Sequence, residues 1–238
     1  MGVSLKAETQ RRLILEAEKR ELAAMLVHDL KTPMTVIRSG ITLLADFATK
    51  SGKREHNRTF ELLEMSTARL QRMVEDVLHL AKLEESSSME RLDPVDLQAL
   101  AKECAKDFEL VMADRKQKLE LRLPALDPPL VLGDPALLRR VLDNLVHNAV
   151  EHTPSRGTIA IGVSADDAGV TVSVCDSGPG VPVSARGDVF RKFFQKDVKR
   201  HVGNVGLGLA LCEKVVARHG GTIGIGDAKP KGARFYFT

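Results

Sequence analysis

Between Leu5 and Ala48 the chain carries one glycine, Gly40, and spaces its apolar residues three and four apart: Leu13, Ala17, Ala24, Val27, Met34, Ile37, Ile41 and Leu44. A run of that period, rich in Glu, Lys, Arg, Leu and Ala, admits a long amphipathic helix and little else. Pro33 lies within it. Having no N–H to give the Asp29 carbonyl one turn back, it should bend the helix there and leave that carbonyl free. The polar break TKSGKREHN, residues 49–57, is followed by Phe60, Leu63, Thr67, Leu70, Val74, Val77, Leu78 and Ala81 at the same steps, which predicts a second helix and an αα-hairpin. Two such stripes bury each other poorly. Pairing two hairpins into a dimeric four-helix bundle is the economical solution, so a homodimer is expected; the alternative is a hairpin packed on its own C-terminal domain.

After Glu84 the pattern changes. The Ser-rich stretch ESSSMERLDPVD contains Pro94 and is the best boundary in the chain, giving an all-α domain over 1–85, a linker over 86–95 and a second domain over 96–238. In that second domain, helical segments (Leu97 to Arg115, Pro135 to His152, Gly206 to His219) alternate with the strand-like runs KLELRL, TIAIGVSA, GVTVSVCD, GTIGIG and ARFYFT. Short turns such as Asp167-Ala168-Gly169 favour antiparallel hairpins over a doubly wound parallel sheet. The expected fold is multidomain: a helical hairpin followed by an α/β sandwich with helices on one face.

With 238 residues, 43% of them hydrophobic, there is enough apolar material for real cores. Lys and Arg number 35 against 32 Asp and Glu, and no basic run is interleaved with aromatics, so nucleic acid is not an expected partner. Cys104, Cys175 and Cys212 are odd in number, far apart and without CxxC spacing, which suggests reduced thiols and neither a disulfide framework nor a zinc site. No apolar run approaches membrane-spanning length and the start lacks the apolar core of a signal peptide. The expectation is a cytoplasmic piece of a longer protein; a membrane or sensor segment would have to lie in a preceding part.

Four short motifs carry chemistry. In LVHDLKTPM, residues 26–34, His28 and Thr32 share a helix face with Asp29 about 100° round from the histidine, so a titratable nitrogen, a carboxylate and a hydroxyl converge. A solvated polar patch on a kinked helix would read the same. In DPALLRRVLDNLVHNAVEHTP, residues 134–154, Asp-Pro opens a helix whose stripe is Leu138, Val141, Leu142, Leu145 and Ala149. Asn144 and Asn148 flank that stripe one turn apart and can offer carboxamide oxygens to Mg²⁺, or else are ordinary boundary residues. In VSVCDSGPGV, residues 172–181, an alternating strand runs into Asp176, Gly178 and Gly180, a carboxylate with glycines that allow close backbone approach, though a capped turn has the same residues. In VGNVGLGLALCEKVVARHGG, residues 202–221, a glycine-rich loop feeds a helix whose free N–H groups suit phosphates, without the Lys-Ser/Thr of a P-loop.

Taken in order, the Asn-xxx-Asn helix, Asp-x-Gly-x-Gly, the phenylalanines of VFRKFF and Gly-Leu-Gly-Leu closely resemble the ATP-binding domain of sensor histidine kinases, in the wider family shared with gyrase, Hsp90 and MutL. His28-Asp-Leu-Lys-Thr-Pro is similar to the phosphoacceptor box of the same kinases. That resemblance implies ATP and Mg²⁺ as cofactors, His28 as phosphoacceptor and Asp29 as the group that holds or removes its ring proton. It further implies a response regulator receiver domain as partner, and regulator phosphatase activity assisted by Thr32, which could otherwise only bond a carbonyl in the preceding turn. Asn148 becomes the metal ligand with Asn144 in support, and Asp176 the reader of the adenine amine beside Gly178 and Gly180. Gly206, Leu207, Gly208 and Leu209 become the phosphate segment, and residues 187–205 a lid.

The family often has Lys then Tyr where this chain has Glu151 and His152; His152 would stack on adenine or sit as a hydrogen-bonded boundary residue. Arg191 and Gln195 replace the usual acidic and basic residues, which leaves open whether Lys192, Lys196 or neither meets the γ-phosphate. Val205 stands where Thr or Ser is frequent. Another kinase or ATPase of the same fold would not explain His28 on a dimerising helix; a non-catalytic nucleotide-binding scaffold is the other reading, and Glu151 and Gln195 favour it slightly.

Overall fold

The computed structural model of the chain describes residues 34–42, 63, 66–67, 70–71, 73–80, 83, 92–125, 129–167, 169–192, 194 and 206–238. Two compact units divide between Val77 and Leu78. In the first, residues 34–42 form helix α1, and the helical positions described between 63 and 83 belong to α2, which runs on into the second unit. Gly40 of α1 lies against Leu63 of α2: a Cβ there would stand 2.7 Å from Leu63 Cδ2, so the glycine permits the close approach. Met34, Ile41, Val74 and Leu78 stay exposed while Met73 is buried.

The second unit is a helix layer on a mixed sheet. Its elements are β1 (Asp93–Val95), α3 (Leu97–Asp114), β2 (Lys118–Arg122), β3 (Val131–Gly133), α4 (Pro135–His152), β4 (Thr158–Asp166), β5 (Gly169–Asp176), a 3₁₀ turn (Val183–Ala185), α5 (Gly208–Arg218), β6 (Ile223–Asp227) and β7 (Ala233–Phe237). The five-stranded sheet has the order β2-β4-β5-β7-β6. Three of its four junctions are antiparallel, as the short turns predict, but β2 runs parallel to β4 because β3 and the helix α4 intervene between them and carry the chain back. A separate ribbon pairs β1 with β3, so the last three residues of the expected linker form a strand against Val131–Gly133.

Local chemistry accounts for the helix starts. Asp96 accepts from Gln98 N at 2.8 Å and Ala99 N at 3.0 Å to cap α3. Asp134 does the same for α4, accepting from Ala136 N at 2.9 Å and Leu137 N at 3.1 Å with Pro135 behind it. The predicted stripe of α4 is buried, with Val146 and Val150 added to it. Across from it, Ile159, Ile161 and Val163 of β4 and Val170, Val172 and Val174 of β5 are buried, and each such side chain is worth about 1.5–3 kcal/mol out of water. Asp176 continues the inward parity of Val172 and Val174, so strand alternation delivers its carboxylate to the helix side of the sheet.

Candidate functional site

Asp176 is 6% exposed. Its Oδ1 accepts from Gly178 N at 2.8 Å and from Ala233 N at 3.2 Å, and among the described residues none donates to Oδ2. One oxygen is thus fixed by backbone and the other remains available to a ligand N–H. The loop that follows is pressed into place on both sides. A Cβ on Gly178 would lie 2.6 Å from the His152 carbonyl, which puts the Asp-x-Gly turn against the C-terminus of α4. Ser177 closes the turn, with Thr158 N donating to its Oγ at 2.8 Å and Ser177 N donating to Thr158 O at 3.0 Å. Gly180, at φ +74°, faces Gly232 of the β6–β7 hairpin, and Gly232 itself has φ +124° and no room: a Cβ there would fall 1.7 Å from the Asp176 carbonyl.

Gly232 and Ala233 are therefore site residues that the sequence reading missed. Their contribution is made by backbone, in a strand end that carries no polar side chain, so composition offered no signal beyond the turn-forming Lys-Pro-Lys-Gly.

Two turns back along α4, Asn144 Nδ2 lies 3.4 Å from the Gly208 carbonyl, and a Cβ on Gly208 would contact the Asn144 amide. The start of α5 thereby lies beside the middle of α4. Asn144 and Asn148 are both half-buried on the same flank, as predicted. From Asn144 to His152 is two turns, about 12 Å of helix. Along that length α4 passes from the free N–H groups of the α5 start to the Asp176 carboxylate. Gly206 has φ +72°, while Leu207 is 2% exposed, so its side chain belongs to the core and only its backbone can face a ligand. Leu209 is half-buried and His152 exposed.

Of the expected lid, residues 187–205, the structure describes 187–192 and 194, and its start is packed. Val189 is buried at 7% exposure, and the Phe190 ring meets Phe235 of β7 edge-on, centroids 6.4 Å apart, a contact worth about 1 kcal/mol. Arg186 anchors the preceding turn through Val181 O at 3.0 Å and an ion pair to Asp227, and Arg191 pairs with Asp188 at 2.9 Å. Up to Phe190 the segment is packed on the sheet. Lys192 is half-buried; His28, Asp29, Thr32 and Lys196 lie outside the described residues. Glu151 sits 3.6 Å from His147 on its own helix.

Residues 133–238 match the family described as histidine kinase-, DNA gyrase B- and HSP90-like ATPase, and residues 18–86 match the His Kinase A phospho-acceptor domain. The chain is 30% identical to the catalytic domain of the histidine kinase ThkA, with a TM-score of 0.56 over 63% of this chain and 94% of that one. It belongs to the sensor histidine kinases of two-component systems. Among other members, the phosphate regulon sensor protein PhoR of Pseudomonas aeruginosa is 33% identical over 93% of this chain and 50% of its own length. Full-length ShkA, solved in complex with AMPPNP, is 29% identical with a TM-score of 0.64, over 90% of this chain and 44% of that one. This kinase chain spans between 36% and 61% of the length of the curated relatives it matches. No helix among the described residues is long and apolar enough to cross a membrane.

Proposed function

We propose that this chain is a homodimeric catalytic core that transfers the γ-phosphoryl group of ATP to His28 and then to an aspartate of a response regulator receiver domain, and that it also dephosphorylates that regulator. The observation that carries the ATP half is the linear site along α4, with a half-satisfied buried carboxylate at one end and a glycine-started helix at the other. A nucleotide laid along it places the adenine amine at Asp176 Oδ2 and its phosphates at the N–H groups of Gly208 and Leu209.

Asn148, with Asn144 in support, would hold Mg²⁺. A carboxamide oxygen suits a hard cation, and among the described residues no three His, Cys, Asp or Glu side chains cluster to form a cage, which fits an ion held mostly by phosphates and water. Bound there, Mg²⁺ would neutralise charge on the β- and γ-phosphates. On His28, one ring nitrogen with a free lone pair attacks phosphorus as the bond to ADP breaks, while Asp29 holds the proton on the other nitrogen and stabilises the imidazolium that forms. Thr32, one turn on, orients a water for in-line attack on the regulator's aspartyl phosphate.

Incubation with radiolabelled ATP tests the first step. An acid-labile, alkali-stable label present in the wild type and absent from His28→Gln, with nucleotide binding retained, is expected; an acid-stable label would point to another kinase of this fold, and no label to a scaffold. For the phosphatase step, Thr32→Ala should keep autophosphorylation and transfer yet lose the acceleration of regulator dephosphorylation seen with ADP. Equal acceleration by both proteins would remove Thr32 from that role.

A further inference from the structure

Three contacts between α4 and α5 stand in step. At one end His219, the residue just past α5, holds Asp134, the N-cap of α4: its Nε2 accepts from Asp134 N at 2.9 Å. Further along, Cys212 Sγ lies 3.7 Å from the Val141 carbonyl, and Asn144 Nδ2 lies 3.4 Å from the Gly208 carbonyl. Seven positions separate Asp134 from Val141 and seven separate Cys212 from His219; three and four lead on to Asn144 and Gly208. The two helices therefore run antiparallel with matched spacing. At about 1.5 Å per residue, the His219 contact stands roughly 16 Å from Gly208.

Of the three, the histidine contact is the strict one. A backbone amide can only donate and a carbonyl can only accept. The 2.8 Å approach of His219 Nδ1 to the Val215 carbonyl thus makes Nδ1 the protonated nitrogen and leaves Nε2 as the acceptor for Asp134. Both ring nitrogens are engaged, one in each helix. The ring is also wedged, since a Cβ on Gly133 would stand 2.8 Å from its Cδ2 and 3.1 Å from its Nε2. By contrast, the thiol contact is weak and the carboxamide contact long. The apolar face of α5, with Ala210, Leu211, Cys212, Val215 and Val216 buried, is held by a force that has no preferred direction. A hydrogen bond of 2.9 Å does have one.

We propose that His219 is a positioning residue for the nucleotide phosphates: by tying the end of α5 to the start of α4, it sets the register in which the Gly208 and Leu209 N–H groups stand beside Asn144. This rests on the ATP reading above. His219 is too far from Gly208 to meet a phosphate itself. The adenine end is built by other elements, with Asp176 held by Gly178 N and Ala233 N, so loss of the tie weakens what the phosphates contribute and spares the base contacts.

Two isosteres divide the bonds of the ring. His219→Gln sets an amide oxygen near the Nε2 position, where it can accept from Asp134 N. His219→Asn sets an amide NH₂ near the Nδ1 position, where it can donate to the Val215 carbonyl but falls short of Asp134. The wild-type chain and both variants are titrated calorimetrically with ATP, ADP and adenosine, with hydrogen exchange at the Asp134 amide and a melting curve on the same samples. For His219→Asn, affinity for ATP and ADP should fall about tenfold while that for adenosine stays within about twofold, and the Asp134 amide should exchange about threefold faster or more. His219→Gln should keep all of these within about threefold of wild type. Unchanged ATP affinity in His219→Asn overturns the proposal, and so does ATP affinity that fails to follow Asp134 protection across the three proteins. A parallel loss of ATP affinity, adenosine affinity and melting temperature would make His219 a residue of the fold alone. A wild-type chain that binds ATP no more tightly than adenosine refutes instead the phosphate site at the start of α5, whatever the variants do.

Discussion

Replacing Asp176 by asparagine separates the two jobs of its carboxylate. Oδ1 accepts from Gly178 N and Ala233 N, and the amide oxygen of asparagine can take both bonds. The flipped rotamer would aim an NH₂ at two backbone donors in a site 6% exposed, so the amide nitrogen must occupy the Oδ2 position. Facing the adenine amine in the proposed complex, it sets donor against donor. A hydrogen bond to a charged acceptor is worth about 1.5–3 kcal/mol, so ATP affinity should fall by roughly 10- to 150-fold. The fold should lose only about 1 kcal/mol, because the backbone bonds survive with a neutral acceptor in place of a charged one. The same NH₂ can donate to a guanine O6, so the preference for ATP over GTP should drop by at least about tenfold. Displacement of a fluorescent ATP analogue by each nucleotide, with a melting curve on the same samples, measures all three quantities. ATP affinity within about twofold of wild type, with the GTP preference unmoved, would remove Asp176 from base reading. A collapse of melting temperature alongside affinity would show that Oδ1 is the oxygen that matters.

Gly232→Ala forces a methyl onto the Asp176 carbonyl at φ +124° and should cost about 3 kcal/mol or more together with nucleotide binding, whereas Gly226→Ala, with nothing within 4 Å, should melt within about 1 kcal/mol of wild type; equal melting of the two would contradict the hairpin packing. Cys104 and Cys212 are fully buried and burial, followed by the neighbouring Asp143, pushes the Cys104 thiol far up, so alkylation of the native protein at pH 8 should reach at most Cys175, itself half-buried and raised; labelling of Cys104 before unfolding would refute this. The exposed Met34, Ile41, Val74 and Leu78 predict a sedimenting species of twice the 26.0 kDa chain, and Gly40→Ala, which meets Leu63, should shift it toward monomer; a monomer for the wild type at micromolar concentration would count against the bundle.

What could be read from the sequence follows from how local its cause is. The Asp134-Pro135 helix start, the α4 stripe and the alternation that ends on Asp176 are each decided within one or two turns of chain, and each stands where the residue pattern puts it. The Asp167–Gly169 turn between β4 and β5 is equally local. The misses are all contacts between distant positions. Ala233 N reaches Asp176 across 57 residues and His219 reaches Asp134 across 85. The resemblance put Phe190 in the lid, and only the position of Phe235 makes it an anchor. The ribbon of β1 and β3 is three residues a side, with Pro94 in its middle, too short for alternation to register.

The same distinction bears on the proposed phosphate site, which has no P-loop. Helix α4 is held at its N-cap Asp134 by His219, at its middle by the start of α5, and at its last residue by the Gly178 turn. Its apolar stripe is spent on the sheet, which leaves Asn144 on the flank beside the start of α5, with Asn148 half-buried one turn on. Asn144 can remain half-buried there because Gly208 brings backbone, not a side chain, against its amide. A larger residue at Gly208 would push against Asn144, and one at Gly178 against the His152 carbonyl. The glycines thus let backbone approach α4 at its middle and at its end, so motifs that are weak one by one become specific through the helix that the Asp-x-Gly and Gly-Leu-Gly segments both touch.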